Sequence, residues 1–129
     1  MEGFSELPGS NGNVLKKITR EGSGNGPSSG AKVTVDYKGY FKDGKVFDQS
    51  YGRKPFNFQV GVGQVIKGWD LGVLSMKKGE KATFYIKSDY AYGKRGAGGV
   101  IPPNTDLLFD VELHSFKLNN KKSNKDFKI

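Results

Sequence analysis

Apolar residues recur at helical spacing in one stretch of this chain, over Val65, Ile66, Trp69, Val73, Leu74 and Met76. Gly68 and Gly72 lie inside that stretch, where each costs about 1 kcal/mol relative to alanine. A short helix that keeps two glycines is expected to need a bare face for close packing. It also carries the single tryptophan, Trp69, whose ordinary role is a core anchor. The rest of the ordered sequence alternates. Residues 14–18 read as a first strand, and residues 22–30 as a Gly/Ser/Pro loop. In residues 32–41, Val33, Val35, Tyr37 and Phe41 share one face, opposite Lys32, Thr34, Asp36 and Lys38. Asp43-Gly44 is a hairpin signal leading back into Val46-Phe47-Asp48. Residues 56–60 and 81–87 alternate as well. Residues 105–116 do so with Leu107, Phe109, Val111 and Leu113 inward and His114 on the outward phase. The expectation is an α+β fold: a twisted antiparallel β-sheet of about five strands wrapped around one short α-helix. The loop at 88–104 is longer than most connections, and such loops are usually functional.

The 129 residues suit one domain with one modest core. Residues 1–12 and 117–129 are polar and aperiodic, and read as a flexible N-terminus and a disordered basic tail flanking a domain at 13–116. Half of the net charge of +8 lies in residues 117–129, which hold five lysines and one aspartate. Nucleic-acid binders concentrate charge on one surface, with arginines reaching bases; this chain has three arginines, so nucleic acid is not an expected partner. A chromatin- or ribosome-associated role through the lysine tail is a third reading, and steep salt dependence would mark it. No apolar run approaches the length of a bilayer span, and the first residues do not read as a secretory signal. The absence of cysteine excludes disulfides and thiol catalysis, and fits a cytosolic setting.

Familiar catalytic arrangements are missing. One histidine and no cysteine argue against a zinc site, and His114 on a strand surface argues against a Ser-His-Asp triad. Gly61-Val62-Gly63 opens like a dinucleotide loop, but Ile66 stands where the third glycine belongs. The segment 93–99 is basic and Gly-rich without the order of a phosphate loop. Asp48 and Asp70 could be paired as glycosidase-type carboxylates, but Asp70 falls on the polar side of the helix.

Five segments, scattered along most of the chain, stand in a fixed order: Val46-Phe47-Asp48, Val65-Ile66-Lys67-Gly68-Trp69-Asp70, Tyr90-Ala91-Tyr92-Gly93, Ile101-Pro102-Pro103 and Leu108-Phe109-Asp110-Val111-Glu112-Leu113. In that order the chain resembles the FKBP-type peptidyl-prolyl cis-trans isomerases over residues 13–116. The resemblance implies rotation of Xaa-Pro bonds in protein folding, without cofactor, metal or nucleophile. The obstacle is amide resonance, about 18–20 kcal/mol for a peptide bond. A dry pocket that disfavours the planar, more zwitterionic amide relative to the twisted one acts by differential binding. By match to the family, Trp69 is the floor of that pocket, with Tyr37, Phe47, Phe56 and Phe109 as walls and Val65, Ile66 and Ile101 completing the lining. The Ile66 N–H and the Tyr92 hydroxyl would donate to substrate carbonyls. Asp48 would lie beside the reacting amide, with Arg53 pairing with it and holding Tyr37. The segment 49–55 is one residue shorter than the family pattern, which leaves the register at Arg53 open by one position. Gln64 stands where glutamate is frequent and would act through its backbone carbonyl. Ala97 and Val100 replace a frequent histidine and isoleucine at the rim.

The resemblance further implies proline-containing peptides and proteins as partners and tacrolimus and rapamycin as inhibitors. The expected state is a cytoplasmic monomer off the membrane, with nuclear entry through the basic tail as a variant. The alternatives are a non-catalytic proline-motif binding module of the same fold, or one domain of a larger co-chaperone.

Overall fold

The computed structural model describes residues 2–117. Residues 118–129, which hold most of the expected disordered tail, lie outside the described residues. Among the described residues, seven strands and one α-helix follow in the order β1 (Ser5–Glu6), β2 (Val14–Arg20), β3 (Lys32–Tyr40), β4 (Val46–Gln49), β5 (Phe56–Gln59), α1 (Lys67–Leu74), β6 (Lys81–Ile86) and β7 (Leu107–Lys117). All pair antiparallel in one sheet, in the order β1-β2-β6-β7-β3-β4, with β5 on the same edge of β3 as β4. The α+β class with a single helix is as expected. The strand count is seven rather than about five.

Part of the difference is β1. Residues 1–12 read as flexible because they lack a period. Yet Ser5 and Glu6 pair with Lys16 and Leu15, Leu7 is buried, and the buried Ser10 hydroxyl donates to the Leu7 carbonyl at 2.7 Å. Two residues of pairing are too short to show alternation, so this docking leaves no pattern in the sequence.

α1 packs on the buried face of the sheet. A Cβ on Gly68 would lie 2.5 Å from Ile86, and one on Gly72 would lie 3.0 Å from Phe84. The glycines are bare where the helix lies against β6, as the helix's composition requires. Val33, Val35, Ala82, Phe84, Leu107, Val111 and Leu113 supply the sheet's contribution to the core beneath it.

Two interruptions of the alternation shape the site. Between β3 and β4 the register shifts from Gly39↔Asp48 to Tyr40↔Val46, which makes Phe47 an extra, bulged residue. Its ring lies over Gly39, where a Cβ would come within 2.8 Å of both Phe47 and Phe109. Between β3 and β7 the shift from Thr34↔Ser115 to Val35↔Leu113 leaves His114 as the bulged residue. The extra residue resets the phase and turns Phe116 onto the core.

Candidate active site

Trp69, in the first turn of α1, is buried and meets four other rings. Tyr37 stands edge-on at 5.0 Å, Phe109 at 5.3 Å and Phe56 at 6.0 Å, and Phe58 is tilted at 5.7 Å. Phe47, thrown inward by its bulge, meets Phe109 at 5.6 Å. Edge-to-face geometry is the arrangement aromatic quadrupoles prefer. The rings bound a cavity of about 350 Å³ lined by Tyr37, Phe47, Asp48, Phe56, Gln64, Val65, Ile66, Trp69, Tyr92 and Phe109. That volume lies within the usual range for small-ligand sites, and the mix of apolar walls with few polar groups is typical of them.

The polar groups gather at the mouth. The Tyr37 hydroxyl donates to Asp48 Oδ2 at 2.6 Å. Arg53 donates to Asp48 Oδ1 at 3.1 Å and also to the Gln49 carbonyl. Burial first, and then the Asp48 hydrogen bond and charge, push the Tyr37 phenol up to about 12. The Tyr92 phenol is also raised, by burial and then by Asp48. Among the described residues, neither the Tyr92 hydroxyl nor the Ile66 N–H donates to a protein acceptor. Both are free to serve a guest.

Ten of the thirteen residues singled out in the sequence thus line one cavity. Arg53 stands outside the lining, at its rim, bonded to Asp48. Val100 is 56% exposed, and Ile101 is buried in the core where it closes a tight turn with Ala97. Neither forms part of the cavity wall. Gln64 is tied by its side chain: its Oε1 accepts from Gln59 N at 2.8 Å and its Nε2 donates to Gln59 Oε1 at 3.0 Å.

Three supporting residues fall outside the expected site set. Asp70 accepts from Gly61 N at 2.8 Å and Gly63 N at 2.9 Å, pinning the loop that delivers Gln64, Val65 and Ile66. Both glycines hold positive φ, near +85° and +83°, which suits only glycine without strain. The helical phase that put Asp70 on the polar side of α1 could have suggested a loop contact. Lys67 places its ammonium 4.4 Å from the Tyr90 ring centre, joining the start of α1 to the 88–104 loop. Ser50 is treated below.

Comparisons agree on the family. A family model for the FKBP-type peptidyl-prolyl cis-trans isomerase matches residues 24–114. The chain is 56% identical over 101 residues to FK506-binding protein 1 of Dictyostelium discoideum, covering 78% of this chain and 94% of that one. It is 51% identical over 106 residues to FK506-binding protein 1 of Saccharomyces cerevisiae, covering 79% and 91%. Among solved structures, a peptidyl-prolyl cis-trans isomerase from Pseudomonas syringae superposes with a TM-score of 0.80 at 38% identity, over 91% of this chain and 83% of that one. FkpA from Escherichia coli does so with a TM-score of 0.82 at 38% identity, over 93% and 54%. With the family model spanning the helix, the bulged Phe47 and the closing strand alike, this chain belongs to the FKBP-type peptidyl-prolyl cis-trans isomerases.

Proposed function

We propose that the aromatic cavity over Trp69 takes up an Xaa-Pro segment, accelerates its cis-trans rotation, and accepts tacrolimus and rapamycin in the same place. The observation that carries this reading is the pairing of chemistry in the cavity: aromatic rings as floor and walls, and a hydrogen-bonded Tyr37–Asp48–Arg53 set at its exposed edge. The prolyl ring rests on the indole. The planar amide loses water on entering and gains little from the walls, whereas the twisted amide, less zwitterionic, loses less. Binding therefore favours the transition state without any proton transfer. The free Ile66 N–H and Tyr92 hydroxyl hold the flanking carbonyls. Asp48, fixed by Tyr37 and Arg53, sits beside the rotating bond, and Val100 and Ile101 contact larger ligands from the rim loop. The working form is a cytoplasmic monomer.

A coupled isomerisation assay tests the reading. Leu-Pro peptides should turn over faster than Glu-Pro peptides, since each apolar Å² buried beside the proline contributes about 25 cal/mol. Tacrolimus should abolish the activity and change the emission of the lone tryptophan. Trp69→Leu should stay folded and lose tacrolimus affinity. Equal Leu-Pro and Glu-Pro rates, or a folded Trp69→Leu that binds as tightly as the parent, would remove the cavity from the mechanism.

A further inference from the structure

We infer that Ser50 is a positioning residue for the Tyr37–Asp48 pair and that Asp36 and His114 anchor it; the inference rests on the isomerase reading above. The argument begins with a gap. β4 leaves the edge of β3 at the pair Lys38↔Gln49, and β5 rejoins the same edge at Val35↔Phe56. Between them, Asp36 and Tyr37 have no strand partner on that side. Ser50 fills the gap with both backbone and side chain. Its N–H donates to the Tyr37 carbonyl at 2.9 Å, and its Oγ accepts from the Tyr37 N–H at 2.9 Å. The same hydroxyl donates to Asp36 Oδ1 at 2.6 Å. Residues 51–57 are exposed, yet Ser50 is 2% exposed. A buried hydroxyl at the start of a surface loop, bonded on every side, fixes the backbone from which the Tyr37 ring reaches Trp69 and Asp48.

Asp36 is itself held from the far side. His114, the bulged residue of β7, brings Nε2 to 2.7 Å from Asp36 Oδ2. Bulges commonly re-aim a side chain. The Ser50 hydrogen bond first, and the His114 contact second, hold the Asp36 carboxyl below the usual carboxylate range. The other charged or titratable groups around His114 are Glu112, 3.9 Å from Nδ1; Arg20, which pairs with Glu112 at 2.5 Å; Lys81, opposite Glu112 in the β6–β7 register; and Tyr51, whose phenol is raised by burial and then by Glu112 and Asp36. An ionised carboxylate only accepts, so His114 Nε2 is the donor to Asp36, in a charge-assisted bond. The chain His114–Asp36–Ser50–Tyr37 then runs unbroken from the bulge of β7 to the ring beside Trp69.

The test compares kcat and KM for a Leu-Pro peptide, and the NMR ring resonances of Tyr37, in the wild type and in variants. Ser50→Ala, checked for a native melting transition, should shift the Tyr37 resonances and lower kcat/KM about threefold, mainly through KM, a size usual for coupling along such a network. His114→Ala should move the same resonances in the same direction by less, and His114→Gln, whose amide can still donate to Asp36, should restore them. Tyr37 resonances and kcat/KM unchanged in Ser50→Ala, or a Tyr37 shift in Ser50→Ala that His114→Ala does not share, overturns the inference. Wild-type protein without turnover but with Tyr37 resonances that move in both Ser50→Ala and His114→Ala would retain the linkage and refute the isomerase reading instead.

Discussion

Gly68 shows how one missing methyl group places the tryptophan. Its position against Ile86 sets the depth of α1 and so the depth of the Trp69 floor. Gly68→Ala improves helix propensity by about 1 kcal/mol but forces a Cβ to 2.5 Å from Ile86. Overpacking of this kind costs about 1–3 kcal/mol. The expected result is a net loss in urea unfolding, together with weaker tacrolimus binding. Unchanged stability and affinity would mean that the helix rides on its neighbours without a fixed depth. At this scale the sequence is readable where a residue is singular. Trp69 is the one indole, and Gly68 and Gly72 are out of place in a helix. Ser50 has no such mark, because its meaning comes from a gap in the β3 edge that exists only once β4 and β5 have both paired. Phe47 is reached only through the family resemblance, because an extra residue in a ladder has no place in strict alternation; His114 falls on its expected outward phase, but neither its bulge nor its contact with Asp36 leaves a mark in the sequence.

Among the elements, the segment between β5 and α1 is pinned to the helix by one carboxylate. Asp70 reaches back from the helix to two amides of the glycine turn, so α1 and the residues that present the Ile66 N–H move as one body. Hydrogen bonds to a charged group contribute about 1.5–3 kcal/mol. Asp70→Ala should therefore cost about 2 kcal/mol of stability and speed hydrogen exchange at Gly61 and Gly63, with a loss of ligand affinity. Protection at those amides equal to the parent's would show that the turn holds itself. The elements were legible in the sequence in kind and nearly in extent: the helix expected from Val65 to Met76 is α1 at Lys67–Leu74, and the last strand is displaced by two residues at its start. β1 was not legible, since a two-residue strand has no period to read. Its hold on the sheet comes from the buried Leu7 and from the Ser10 hydroxyl, which also accepts from Val14 N at 3.3 Å.

For the whole molecule, tyrosines inserted into a strongly basic domain set the alkaline limit. Burial, followed by hydrogen bonds to Asp48 and Asp110, raises Tyr37 and Tyr40 each to about 12 from 10.0. The unfolded chain releases those protons near pH 10 while the fold keeps them to about 12. The stabilisation they provide is complete below the lower value and is lost as pH rises through that window. Urea midpoints should fall over that range in the wild type, and fall less in the Tyr37→Phe and Tyr40→Phe variants; parallel slopes would assign the loss to other groups. The sheet order has a different consequence. β7, flanked by β6 and β3, is the last strand among the described residues and sits between partners made long before it. A ribosome must therefore carry synthesis past Lys117, and the exit tunnel must clear that strand, before the two halves of the sheet can be joined. Until then β3 and β6 have no shared neighbour, and each keeps an open edge of unpaired N–H and C=O groups.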